Sequence, residues 1–170
     1  MTSRVLNPPR ASGPVDVVVD VADFAVSGEA PLSTAGLGSC VALVLHAPES
    51  GIAGLAHFLL PEAGAGSTFS RPAKFAATGV PLLASELRLH GARGPIVAKL
   101  VGGARMFGTL LSAGVNVGQR NIEATREALT RLGIPIVGEE VGGEFGRSVR
   151  VETATGRVQV RSLAGRDREL

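Results

Sequence analysis

Thr34-Ala35-Gly36-Leu37-Gly38-Ser39-Cys40, then Val41-Ala42-Leu43-Val44-Leu45-His46, a break at Ala47-Pro48-Glu49-Ser50-Gly51, and a return ending Ala56-His57-Phe58-Leu59-Leu60-Pro61: the reading of this stretch decides the fold. Residues 41–46 form a continuous apolar run of strand length. The Pro/Glu/Ser/Gly cluster is a turn by composition, and residues 52–60 read as the returning strand. A glycine-punctuated loop leads into Cys40, the single cysteine of the chain.

Antiparallel pairing constrains two side chains here. With a two-residue turn at Pro48-Glu49, position 40 stands directly opposite position 57. With the turn at Glu49-Ser50, position 40 stands opposite 59, and 57 becomes its diagonal neighbour. In either register Cys40 and His57 share a face, because side chains alternate with period two. Opposed residues have Cβ atoms about 5 Å apart and diagonal ones about 7 Å. A thiol and an imidazole so placed form the pairing that a thiolate nucleophile needs. The competing reading is a small core thiol and a hydrogen-bonded core histidine. Gly36 and Gly38 free the backbone ahead of Cys40, which suits a loop whose N–H groups approach a substrate. Thr34 brings a hydroxyl within reach of the same loop.

The rest of the composition narrows the possibilities. At 170 residues, 45% hydrophobic and 19% charged, the chain is long enough for one domain with a real core. Its net charge is only +2, its basic residues are scattered and aromatics make up 4%, so nucleic-acid binding has little support. Three histidines and one cysteine match no metal-ligand spacing, and no metal or cofactor is expected. A single cysteine excludes an internal disulfide and fits a reducing compartment. The first residues lack the apolar core of a signal peptide, and no apolar run approaches the roughly 20 residues of a membrane helix. The expectation is a cytoplasmic protein without membrane insertion.

Along the chain, residues 1–14, rich in Pro, Ser and Arg, are expected to be mobile. Residues 15–21 alternate as a strand and lead through residues 23–26 to a loop at 27–31. Residues 62–71, with Gly64, Gly66, Ser67, Thr68 and Ser70, read as a loop that could form a lip after the His57 strand. Residues 72–89 have helical spacing in Ala76, Val80, Leu83 and Leu87. Pro81 inside that pattern predicts a kink or a late start near Thr78. Residues 94–101 are a strand ending in Gly102-Gly103, residues 105–111 a short helix, and residues 116–121 a loop in which Asn121 caps the next helix. That helix carries Ile122, Thr125, Leu129 and Leu132 on one face and stops at Gly133 and Pro135. Residues 134–141 form a strand. Residues 148–152 and 157–161 flank a Thr155-Gly156 turn, and residues 165–170 are expected to fray. This order predicts an α+β single domain over residues 15–163, a sandwich of mixed sheet with helices packed against it, followed by a tail at 164–170.

At this point the motifs carry a resemblance. The chain is similar to the CheD family, chemoreceptor glutamine deamidases of bacterial chemotaxis. The similarity rests on Thr34 with Gly36, Leu37, Gly38, Ser39 and Cys40; on His57 with Leu60 and Pro61; on Gly102, Gly103, Ala104, Met106 and Phe107; and on Asn116, Gly118, Arg120 and Asn121. Gly142, Gly143, Arg147 and the Thr155-Gly156 turn agree as well. Ala77, Pro81 and Glu140 depart from the family's usual residues.

The resemblance implies an amidohydrolase, a protein-glutamine glutaminase. It would convert receptor glutamine to glutamate and ammonia through a thioester on Cys40, with His57 as general base and acid and Thr34 orienting the imidazole. Backbone N–H groups around Gly38, Ser39 and Cys40 would receive the oxyanion. Methyl-ester hydrolysis at the same sites is also implied. Chemoreceptors (methyl-accepting chemotaxis proteins) are the implied substrates. The CheC phosphatase is an implied partner, whose regulation is the alternative role. Arg105, Phe107, Arg120 and Asn121 read either as a substrate or partner surface or as loop architecture that bonds turn carbonyls and caps a helix.

Overall fold

In the computed structural model, which describes residues 14–65, 71–105 and 116–170, the apolar run forms β4 (Val41–Ala47), buried at every position. A strand reads as continuously apolar when both of its faces are covered. β4 is the centre of one five-stranded sheet, paired with β5 (Ile52–Phe58) on one side and β6 (Val97–Gly102) on the other, with β2 (Phe24–Ser27) and β7 (Ile136–Val141) at the edges. A second five-stranded sheet has the order β1 (Val17–Val18), β3 (Leu32–Leu37), β8 (Arg147–Glu152), β9 (Arg157–Ser162) and β10 (Arg168–Glu169). Both sheets are mixed. β1–β3 and β6–β7 are parallel, and the remaining pairs are antiparallel.

Two helices, α1 (Ala76–Leu89) and α2 (Val117–Leu132), complete the described residues, with a 3₁₀ turn at Pro72–Lys74. Their apolar stripes, including Val80, Leu83, Leu87 and Leu129, pack on Leu43, Leu45, Phe58 and Leu100 of the central sheet. The opposite face of that sheet, Cys40, Ala42, Val44, Leu55 and Val101, packs on Leu32, Leu37, Val149, Val151, Val158 and Val160 of the second sheet. The layers are therefore sheet, sheet and helices, the expected α+β sandwich. The second sheet alternates buried residues with half-buried ones in β8 and with mostly exposed ones in β9, turning its outer face towards solvent.

Several sequence-based expectations change in detail. The strand at residues 15–21 shortens to Val17–Val18, because the chain turns at residues 20–23, where Asp23 N–H donates to Asp20 O, and then forms β2 where no strand was expected. Residues 34–37, read as loop, belong to β3, which bulges between Thr34 and Leu37. The helix at 72–89 is split at Phe75, and no late start near Thr78 occurs. The N–H groups of Ala76 and Ala77 donate to Leu60 O and Pro61 O, which satisfies the first turn from outside the helix. Pro81 is carried inside α1 on its exposed side. Asn121 does not cap α2. The cap is Asn116, whose side chain accepts from Gln119 N–H at 3.0 Å. The tail is not frayed: β10 pairs with β9, and Leu170 exchanges two main-chain hydrogen bonds with Val158. Residues 66–70 of the loop expected to form a lip, residues 106–111 of the expected short helix and most of the N-terminal segment lie outside the described residues.

At one end of the central sheet the turn after β6 runs against the chain entering β4. Gly103 N–H donates to Cys40 O (2.7 Å) and Ala104 N–H to Gly38 O (2.8 Å). Gly102 has φ +110, and a Cβ added there would collide with the Cys40 carbonyl oxygen. α2 approaches the same turn through Gly118, where an added Cβ would lie 2.7 Å from Gly103 C.

Gly102→Ala should therefore unfold at clearly lower urea concentration than Gly142→Ala. Both positions require positive φ, costing about 1–3 kcal/mol for a non-glycine residue, but nothing lies within 4 Å of a Cβ at Gly142. Equal losses in the two variants would contradict the packing described here.

Candidate active site

The β4–β5 register pairs Ala42 with His57 and Val41 with Phe58, so position 40 falls opposite 59. Of the two registers open to the sequence, this is the one with His57 diagonal to Cys40. The two residues point to the same face, into the layer between the sheets. Cys40 is 8% exposed, Thr34 3% and His57 not at all.

Thr34 lies on β3 in the facing sheet, across this layer. Its Oγ1 stands 2.8 Å from His57 Nδ1 and 2.7 Å from the main-chain oxygen of Val19. A hydroxyl has one proton to give. Val19 O can only accept, so the Thr34 hydroxyl donates to it, and the contact with His57 must run the other way, from Nδ1–H to Oγ1. That logic assigns the tautomer. The Nδ1 site carries the proton, and Nε2 is left with a bare lone pair. Nε2 is buried and has no hydrogen-bond partner among the described residues. The imidazole main chain is also held, with His57 N–H donating to Asp23 O and Ala22 N–H donating to His57 O.

Electrostatics keep both members neutral at rest. Burial lowers the His57 pKa to about 4, against a smaller upward pull from the charge of Asp20. Burial raises the Cys40 thiol pKa, opposed in part by its own main-chain N–H. With no hydrogen bond to Nε2, the thiol is not held as a preformed thiolate–imidazolium pair. The arrangement instead presents a buried unprotonated nitrogen on the same face as a protonated thiol. Such a pair transfers the proton when the sulfur attacks.

The other sequence-derived residues divide. Gly38 and Ser39 form the turn before Cys40, with Gly38 O accepting from Ala104 and Ser39 O accepting from the Asn121 side chain. No main-chain carbonyl among the described residues takes the N–H groups of Ser39 and Cys40. Arg120 is exposed and reaches Glu62 Oε1 at 3.4 Å, beside a cavity of about 260 Å³ between residues 60–64 and the start of α2. Arg105 is exposed, with its N–H donating to Gly143 O. Phe107 lies outside the described residues. Asn121 is not surface at all. It is fully buried, and its Nδ2 donates to Ser39 O at 2.9 Å and to Leu59 O at 3.1 Å.

Sequence reasoning missed Val19, whose role is carried by a main-chain oxygen that no side-chain pattern signals. It also missed the reach of Asn121 across to residues 39 and 59. Among the described residues no group of three or more His, Cys, Asp or Glu could hold a metal ion, and no helix is long and apolar enough to cross a membrane.

Comparison with known proteins identifies the family. The family model described as CheD chemotactic sensory transduction matches residues 59–162. That match begins just after His57. A protein from Desulforamulus reducens, named a probable chemoreceptor glutamine deamidase CheD, is 42% identical over 156 residues, 90% of this chain and 94% of its own length. A match of that extent necessarily takes in residues 34–57. A namesake from Pyrococcus abyssi is 40% identical over 152 residues (88% and 93%). A CheD 2 from Geobacter metallireducens, also named a probable deamidase, is 49% identical over 139 residues (78% and 83%).

The buried neutral His57 has a consequence for stability. Its folded pKa of about 4 lies below the ordinary 6.5, so the unfolded chain binds the proton first as pH falls. The stability tied to the neutral ring is present above pH 6.5 and is lost between there and about pH 4. The loss is at most about 3.5 kcal/mol at roughly 1.4 kcal/mol per pKa unit. His57→Gln should flatten the urea-unfolding profile over that window. A variant as pH-sensitive as the parent would contradict a buried neutral imidazole.

Proposed function

The chain belongs to the CheD family, and on that premise we propose that it is a chemoreceptor glutamine deamidase whose nucleophile is Cys40. The observation that carries the reading is that Cys40 and His57 share one face of the central sheet while Thr34 meets the imidazole from the facing sheet, leaving the other histidine nitrogen bare. In this reading His57 Nε2 takes the Cys40 proton as the sulfur attacks the carboxamide carbon of a receptor glutamine. The N–H groups of Ser39 and Cys40, which no main-chain carbonyl among the described residues takes, are the donors suited to the resulting oxyanion, each worth about 3 kcal/mol in comparable sites. The imidazolium returns its proton to the departing nitrogen, the C–N bond breaks, and ammonia leaves a thioester. His57 then takes a proton from water. Hydroxide attacks the acyl carbon, the C–S bond breaks, and the thiolate recovers its proton from the imidazolium, leaving glutamate.

Thr34 steadies the ring and its tautomer without carrying charge. A hydroxyl stabilises imidazolium less than a carboxylate does, which suits a slow, selective enzyme. With so little of Cys40 exposed, the glutamine reaches it only by displacing part of the surrounding loops. Arg105 and Arg120 are exposed, and in this reading a receptor segment contacts them. A cytoplasmic location follows from such a substrate. The association with CheC that the resemblance implies is a separate role, and it would survive loss of the thiol.

Mass spectrometry of a chemoreceptor co-expressed with the protein should show one-dalton Gln-to-Glu changes, absent with a folded Cys40→Ala variant. Thr34→Val should lower the rate on the order of 10²-fold, the scale of general-base contributions, while Thr34→Ser keeps most of it. Deamidation by Cys40→Ala equal to the parent would overturn the assignment. Co-purification of CheC with Cys40→Ala tests the second role independently.

A further inference from the structure

The main-chain ladder between β4 and β5 ends at Val41–Phe58. Beyond it the chain entering β4 and the chain leaving β5 no longer pair with each other, and Leu59 N–H turns away to Lys74 O. Cys40 sits on the first of these unpaired segments, and His57 is the last residue but one of β5. What spans the gap is the Asn121 carboxamide. Its two N–H hydrogens are both used, one on Ser39 O and one on Leu59 O. Ser39 precedes the cysteine, and Leu59 is the register partner of position 40. Both partners can only accept, so the amide orientation is unambiguous.

We infer that Asn121 is a positioning residue: from α2 it clamps the main chain beside Cys40 to the main chain beyond His57, and so sets the distance between thiol and imidazole. The inference rests on the Cys40–His57 reading above. Two further observations favour it over a plain packing role. Asn121 is fully buried, and its Oδ1 has no hydrogen-bond partner among the described residues. An apolar residue of similar size would not leave a buried acceptor unpaired, so the donors are what the position requires. α2 itself is seated on the adjoining turn, because Gly118 brings its backbone against Gly103. The clamp therefore has a rigid base. Diagonal residues stand about 7 Å apart at Cβ, and an error of about 1 Å in such a geometry can cost on the order of 10²-fold in rate.

The test compares Asn121→Ala with Thr125→Val. Thr125 is also buried in α2, but its hydroxyl donates only to Asn121 O within the helix. Ammonia release from a receptor fragment and the pH dependence of Cys40 alkylation by iodoacetamide are measured on both. Asn121→Ala should lower kcat 10- to 100-fold with KM within about twofold, by misplacement alone. Its alkylation profile should move towards that of His57→Ala. Asn121→Ser, which keeps one donor, should fall between, and it serves if the alanine variant does not fold. Thr125→Val should keep the parent kcat and profile even where its unfolding midpoint drops as far. A folded Asn121→Ala with the parent's kcat and alkylation profile would overturn the inference, as would equal losses in Thr125→Val. If Cys40→Ala itself remained active, the deamidase mechanism would fail. If Cys40→Ala were inactive and Asn121→Ala normal, only the clamp would fail.

Discussion

One hydroxyl proton organises the centre of this molecule. Thr34 gives it to Val19 O, and with that the same oxygen can only accept from His57. The direction of a single hydrogen bond then decides which imidazole nitrogen is protonated, and hence which one can act as a base. Because Thr34 and His57 belong to different sheets, the bond also joins the two layers at the site proposed for the chemistry. Burial does the rest. It keeps the ring neutral and the thiol protonated, so the pair is stored without an ion pair in a dry interior, where separated charges would be costly.

Around that centre, turns and helix ends are used as fasteners. The Gly102-Gly103 turn holds the Cys40 carbonyl, and α2 lies against the same turn through Gly118. The chain leaving β5 spends its carbonyls on the first turn of α1 at Ala76 and Ala77. Asn121 closes the remaining gap. The loops carrying Cys40 and following His57 are thus tied to both helices, so a shift in either helix is transmitted to the distance between sulfur and nitrogen.

Much of this was legible in the residues, and the parts that were not share a cause. The apolar run 41–46, the turn after it and the shared face of Cys40 and His57 follow from strand periodicity, which needs no tertiary information. The choice between two registers did not follow, since it depends on how residues 48–51 close the hairpin. Thr34 was visible as a hydroxyl near the right loop, yet its placement on a strand of the facing sheet was not, because Gly36 reads as loop while β3 accommodates it with a bulge. Asn121 was misread as a helix cap since Asn116, five residues earlier, does that work. Its long-range partners are main-chain oxygens, to which sequence patterns are blind. The tail at residues 165–170 looked polar and free, but Lys99 Nζ and Val158 bind Leu170.

The tautomer of His57 is the claim on which the account turns, and nitrogen NMR of protein labelled with ¹⁵N-histidine reads it directly. At neutral pH the His57 ring should show a protonated Nδ1 and a bare Nε2, and that pattern should be lost in Thr34→Val. A ring protonated on Nε2, or on both nitrogens at pH 7, would contradict the account.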